Sequence, residues 1–293
     1  MHQLFHARPN SYASFRNHHR IEGTHGMQPL PSPPQPAAVL SFDFDGTLHD
    51  PAAVPPVPAG FFTIIRRLRK EQQVVWGINT GRSLAHMLDG FVESCFPFLP
   101  DWVITREREI HFPNIHGRWS PHTSWNERCE REINELFHNS RQVLSRIRQE
   151  IEHHTGAKWL KMPGEPAGFI CRTEQEMAWI IEHISPLVAT QPGLSWQRNS
   201  IYLRFGHHQF HKGSSLAEIT RLYQLGTDHC FAMGDGHNDL EMLNPAYAGM
   251  TACPANAVPP IQQLITATGG LITRASHGQA AIEALHHFFM PEA

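Results

Sequence analysis

Two carboxylates one residue apart, Asp43 and Asp45, stand directly after an apolar run and before Gly46 and Thr47. A buried strand ending here would project both acids from one sheet edge, and the glycine permits the sharp turn that follows. Such a pair can act as nucleophile and proton carrier, or take up a hard cation. Three further patches carry complementary groups. Asn79-Thr-Gly-Arg-Ser83 offers the Thr80 hydroxyl and the backbone N–H groups of the Gly81 turn to an anion. Lys212-Gly-Ser-Ser215 puts an ammonium at a helix start, where the positive helix end adds to it. Gly234-Asp-Gly-His-Asn-Asp239 supplies two more acids and an amide.

These patches fall at the carboxyl ends of expected strands or the starts of expected helices, where open α/β sheets place their ligands. The first strand is read at 38–44, followed by a Pro-rich loop and an amphipathic helix at 60–72. A strand at 74–78, a helix at 83–94 and a strand at 102–105 come next, a βαβ rhythm that indicates a parallel sheet. From 112 to 205 the pattern changes to helix-strand-strand twice over. A long helix opens at Ser124 with Glu127 as a capping box, and a second opens at Thr173 with Glu176. Strands are expected at 158–162, 168–172, 194–197 and 200–205. The βα rhythm returns after 205. The expected architecture is therefore α/β, a Rossmann-like doubly wound parallel sheet core with an inserted α+β (αββαββ) cap. The core takes 37–111 and 206–293, and the cap 112–205. Residues 1–36, His-rich and then Pro-rich, read as a disordered tail.

Composition sets the outer bounds. The chain has 293 residues, 41% hydrophobic and 17% charged, enough apolar material for a real core. A net charge of -3 excludes the broad basic footprint of a general nucleic-acid binder. No apolar run approaches the ~20 residues needed to cross a bilayer. The five cysteines are far apart with no C-x-x-C, which argues against a disulfide framework or a structural zinc site and suits a cytoplasmic protein. Arg outnumbers Lys 20 to 4, so a lysine in the third patch points to a need for a slender point charge.

The four patches together, in type, order and spacing, resemble the signatures of the haloacid dehalogenase-like hydrolases, a superfamily of aspartate-dependent phosphatases. The resemblance runs from about residue 38 to the C terminus. A cap inserted after the third strand with αββαββ order is similar to subclass IIB, the group of Cof-like and sucrose-phosphate phosphatases. Met250-Thr-Ala-Cys-Pro-Ala-Asn-Ala257 resembles an altered form of that group's Met-Gly-Asn-Ala element. Where Cof-like members carry Asn-Gly after the third strand, this chain has Arg106-Glu-Arg-Glu109.

The resemblance implies a Mg2+-dependent phosphatase that hydrolyses a small phosphorylated metabolite, a sugar phosphate, through an aspartyl-phosphate. Phosphate monoesters resist hydrolysis because an anion repels its nucleophile and an alkoxide leaves badly. The resemblance makes Asp43 the nucleophile and Asp45 the residue that protonates the leaving oxygen and then activates water. Asp43, the backbone carbonyl of Asp45, and Asp235 would hold Mg2+, with Asp239 supporting them or orienting Lys212. Thr80, Gly81, Arg82, Lys212 and Asn238 would bind the phosphoryl group, with Arg82 also open to a structural role. His207, His208 and His211 read as loop histidines, His237 as a group near the pocket, and Trp159, Trp179 and Trp196 as cap core. Two alternatives stay open: a phosphomutase or phosphotransferase, and a non-catalytic sugar-phosphate binding protein. The expected partner is a small phosphorylated molecule, with no nucleic acid and no membrane, bound by a monomer or homodimer.

Overall fold

The structure, a computed structural model, describes residues 27–160 and 167–290. Strand β1 (Ala38–Phe42) is wholly buried; Ala38, Leu40 and Phe42 face one apolar cluster and Val39 the opposite one. A strand buried on both faces reads as a continuous apolar run, as in a parallel sheet. Helix α1 (Ala59–Gln72) leads to β2 (Val74–Asn79), and α2 (Leu84–Glu93) to β3 (Trp102–Thr105). The chain then turns back on itself as β4 (Glu109–Pro113) and β5 (Trp119–Pro121), both antiparallel to their neighbours.

The insertion follows: α3 (Thr123–Asn139), α4 (Arg141–His154), β6 (Lys158–Leu160), β7 (Gly168–Ile170), α5 (Glu174–Val188), β8 (Leu194–Asn199) and β9 (Tyr202–His207). The core resumes with α6 (Lys212–Leu222), β10 (Cys230–Met233), β11 (Met250–Cys253), α7 (Pro259–Thr268), β12 (Leu271–Ile272) and α8 (His277–Phe289). The main sheet runs β12-β11-β10-β1-β2-β3-β4-β5, and the insertion has its own antiparallel sheet, β6-β7-β9-β8. Helices α1, α2 and α8 cover one face of the main sheet with Phe61, Leu68, Met87, Phe91 and Ala281. Helices α6 and α7 cover the other with Leu216, Ile219, Ile261 and Ile265. Each such large side chain contributes about 1.5–3 kcal/mol by leaving water.

Three boundaries differ from the sequence reading. The hairpin β4–β5, read as cap from residue 112, extends the core sheet, because β3 would otherwise be an open edge with unpaired backbone groups. The long first cap helix is broken at Ser140, whose hydroxyl donates to the Leu136 carbonyl. Its start also shifts: His122 is the residue before the helix, and Ser124 lies in the first turn without capping. The Thr173 cap does form, accepting from the Glu176 N–H at 3.1 Å.

Of the expected tail, residues 1–26 lie outside the described residues, as do 161 and 162 of the expected strand at 158–162. Residues 27–31 are tied to the core rather than loose. The Leu99 N–H donates to the Gln28 carbonyl, Met27 and Leu30 pack on the core cluster, and the Arg69 guanidinium donates to the Pro31 carbonyl and to Asp101. A proline-rich stretch cannot form a helix but can lie extended against a surface that offers donors to its carbonyls.

Candidate active site

Register brings the patches together. Phe42 at the end of β1 pairs with Ile78 of β2 on one side and Met233 of β10 on the other. Asp43, Asn79 and Gly234 therefore emerge at one sheet end, where the connections leave in opposite directions. Asp43 is 7% exposed. Lys212, fully buried at the first position of α6, donates its ammonium to Asp43 Oδ1 and Asp239 Oδ1, both at 2.6 Å. Two contacts fix that helix start. Asn79 Nδ2 donates to the Lys212 carbonyl at 3.0 Å, and the His211 ring accepts from the Gly213 and Ser214 N–H groups as the helix cap.

Asp235 approaches from the β10 loop. Its Oδ1 accepts from the Thr47 hydroxyl at 2.7 Å. Gly46 has φ +84°, and a Cβ built there would stand 2.4 Å from Asp235 Oδ2, so both the turn and the close approach need glycine. The Asn256 amide, in the segment resembling Met-Gly-Asn-Ala, holds that turn by donating to the Gly46 carbonyl at 2.8 Å. Asp239 Oδ2 accepts from the N–H groups of Asp235 and Gly236 at 3.0 and 2.8 Å. Asp239 thus commits both oxygens inside the protein, whereas Asp43 and Asp235 each commit one.

The acids are strained electrostatically. Burial, reinforced by Asp239 and Asp235, pushes the Asp43 carboxyl well above its ordinary range, and Lys212 pulls it only partly back. Burial and Asp239 push Asp235 up to about 7 against the Thr47 bond. Burial works against the charge on Lys212, but Asp239, Asp43 and Glu107 outweigh it and hold the ammonium above its usual value. Carboxyl oxygens of Asp43, Asp235 and Asp239 lie within 4.8 Å of one another. That is a donor set of hard oxygens short of positive charge, which suits a divalent cation such as Mg2+.

A cleft of about 550 Å³ opens over this floor. Of the residues singled out in the sequence, Asp43, Thr80, Gly81, Arg82 and Asn238 line it, whereas Lys212, Asp235 and Asp239 are not among its lining residues. Asp45 also lines it, but its half-exposed side chain is held by the Arg82 guanidinium, with Nε donating at 2.7 Å and Nη2 at 2.5 Å. Its carboxylate is thus not part of the acidic cluster, which instead includes Asp239. Arg82, besides facing the cleft, lies over the Phe44 ring.

Sequence reasoning missed Glu107. Its backbone N–H donates to the Thr80 carbonyl, and its carboxylate accepts from Asn238 Nδ2 at 2.9 Å and from Arg204 Nη2 at 2.5 Å. It thereby joins the core floor to β9 of the cap. Burial opposes its charge, yet Arg204, Lys212 and the Asn238 bond hold its carboxyl below the ordinary value. The signal was present: the charged Arg106–Glu109 turn follows a strand of the same sheet end. Thr47 and Asn79 were visible inside the patches, but their partners were not.

Other candidates lie elsewhere. His207 and His208 stack on each other, and His211 caps α6; among the described residues none joins a metal-binding cluster. His237 is not among the residues lining the cleft. Trp159, Trp179 and Trp196 pack against the cap's apolar core. No helix among the described residues is long and apolar enough to cross a membrane.

Comparison with known proteins agrees with this architecture. The structure is similar to sucrose-phosphatase from Synechocystis sp. PCC6803, at TM-score 0.67 and 16% identity over 87% of this chain and 98% of that one. It is similar to a haloacid dehalogenase-like hydrolase protein from Bacillus subtilis, at TM-score 0.62 and 17% identity, covering 91% and 96%. It is also similar to the subclass IIB sugar phosphatase BT4131, at TM-score 0.53 and 13% identity, covering 86% and 98%. Curated protein sequences give no match. The family model of the haloacid dehalogenase-like hydrolases matches residues 102–274, from β3 through the cap to beyond the Asp235–Asp239 loop. With more than half of its length matched, and a core and cap folded like those of subclass IIB structures, the chain belongs to the haloacid dehalogenase-like hydrolase family.

Proposed function

We propose that the protein is a Mg2+-dependent phosphatase that hydrolyses a small phosphorylated metabolite of the sugar-phosphate type. The observation that carries the reading is the cluster of Asp43, Asp235 and Asp239, with the buried Lys212 ammonium bonding Asp43 and Asp239, from which Asp43 reaches an open cleft. Asp43 and Asp235 would hold the ion with the Asp45 backbone carbonyl, and Asp239 would support them by orienting Lys212. When bound, the ion supplies positive charge beside the phosphoryl oxygens and relieves the repulsion among the carboxylates.

The chain's own groups do the rest. Asp43, with Oδ1 held by Lys212, attacks phosphorus through its other oxygen; the new O–P bond forms as the bond to the leaving oxygen breaks. Asp45 gives its proton to that leaving oxygen and later takes one from the water that splits the aspartyl-phosphate. Arg82 pairs with the Asp45 carboxylate and would have to release or share it for proton transfer. Thr80, the Gly81 backbone, Lys212 and Asn238 would receive the phosphoryl oxygens. The test is phosphate release with Mg2+ from a sugar-phosphate panel, comparing the native protein with Asp43→Asn. Release lost in the variant supports the reading. An isomerised ester without free phosphate would make the protein a mutase, and binding without turnover a non-catalytic receptor.

A further inference from the structure

The two walls of the cleft differ in charge. The core side mixes signs, with Asp43, Asp45 and Glu107 beside Arg82 and Arg106. The cap contributes Gln197, Arg198 and Asn199 from β8 and Tyr202 and Arg204 from β9, with no carboxylate among them. A neutral sugar ring is gripped through hydroxyls that both donate and accept, and by stacking on aromatic faces. Gln197, Asn199 and Tyr202 could serve such a ring, but the charged groups of the cap wall are all guanidiniums, and the cap tryptophans pack in its apolar core.

Two observations bear on what those guanidiniums are for. Arg198 has a side chain only 16% exposed, yet its carboxylate partner is Glu174, which is 54% exposed. A half-exposed partner contributes little and exchanges readily with another anion. Beside it, Arg204 already bonds the buried Glu107 carboxylate inside the cleft, so an anion is accommodated at that point on the wall. The planar fork of an arginine matches carboxylate and phosphate oxygens in pairs, which a lysine does not.

We propose that the substrate's leaving group carries a second anionic group, a carboxylate or a second phosphate, which docks on the β8–β9 ribbon with Arg198 as its principal ligand and Arg204 beside it. This rests on the phosphatase reading above and narrows its substrate class. The phosphoryl group to be cleaved sits on the Asp43 floor, and the second anion draws the leaving group against the cap.

The test uses matched esters with the full chain and Mg2+: 3-phosphoglycerate against glycerol 3-phosphate for a carboxylate, and fructose 1,6-bisphosphate against fructose 1-phosphate and fructose 6-phosphate for a second phosphate. The expected result is a kcat/KM at least roughly tenfold higher for the doubly anionic member of one set, as a charge-assisted hydrogen bond gives. The set that shows it identifies the group. Arg198→Gln should bring that ratio toward one, chiefly through KM, and Arg198→Lys should restore part of it. Circular dichroism of each variant checks folding. Equal turnover of both members in every set, or a ratio untouched by Arg198→Gln, overturns the inference and leaves the phosphatase reading standing. No phosphate release from any ester overturns both.

Discussion

The catalytic floor and the cap treat their acids in opposite ways. On the floor, burial and mutual repulsion lift Asp43 and Asp235 above their ordinary range, with Asp235 near 7. In the cap, Glu176 is pulled down to about 2: the Arg172 guanidinium outweighs the opposing effect of burial, and the Arg172 and Gly156 N–H groups add to the pull. The cap has satisfied Glu176; the floor has left Asp43 and Asp235 short of positive charge. Groups kept in that condition are poised for a ligand and cost stability while they wait.

The largest effect should come from neutralising the floor. Asp43→Asn should abolish phosphate release, by at least about a thousandfold, yet raise the thermal midpoint measured without Mg2+ at neutral pH. The sign follows from linkage: a carboxyl with a raised folded-state pKa contributes stability at low pH and loses it as pH rises through that value. A neutral amide escapes the loss. A lower midpoint for the variant would break the contrast between floor and cap.

Removing the floor's cation should act the other way. Lys212→Met leaves Asp43, Asp239 and Glu107 buried without their shared ammonium, and should cost about 3–5 kcal/mol in denaturant unfolding. Unchanged stability would mean that these acids are neutral in the folded protein.

Metal binding sharpens the same point. Because Asp235 must lose a proton near pH 7 to act as a ligand, Mg2+ should raise the thermal midpoint more at about pH 8 than at about pH 6. Activity should vanish with a chelator and return with Mg2+. A midpoint shift independent of pH would remove Asp235 from the ligand set.

The smallest effect belongs to the cap. Glu176→Gln should cost about 1 kcal/mol at neutral pH. Its folded pKa is depressed, so the contribution is present above the ordinary value of 4.5 and disappears as pH falls toward about 2. The difference between native and variant midpoints should therefore shrink on acidification.

How much of this was legible in the chain depends on the range of each interaction. The pair Asp43 and Asp45 after an apolar strand, the Thr80–Gly81 turn, Lys212 at a helix start and the Asp235–Asp239 loop could be read because each is a local pattern. The Thr173 cap was legible for the same reason. The part of the β4–β5 hairpin from residue 112 onward reads as cap because its residues alone do not reveal that β3 needs an edge partner. Glu107 was noted only as part of an unusual charged turn, since its meeting with Asn238 spans 131 positions and its meeting with Arg204 spans 97. The same limit hid Thr47 bonding Asp235 and Asn79 holding the Lys212 carbonyl.

By itself, the amino-acid order determined the alternation of strands and helices, the insertion between them and the kinds of chemical group at each strand end. These follow from hydrophobic period and turn chemistry within a dozen residues. Only the tertiary structure decided which groups meet. Parallel pairing of β1 with both β2 and β10 set the floor, and seating of β8 and β9 over it set a wall whose charged groups are guanidiniums opposite one of mixed sign. Contacts of that kind depend on sheet register and on packing between distant segments, and no local stretch of chain encodes either.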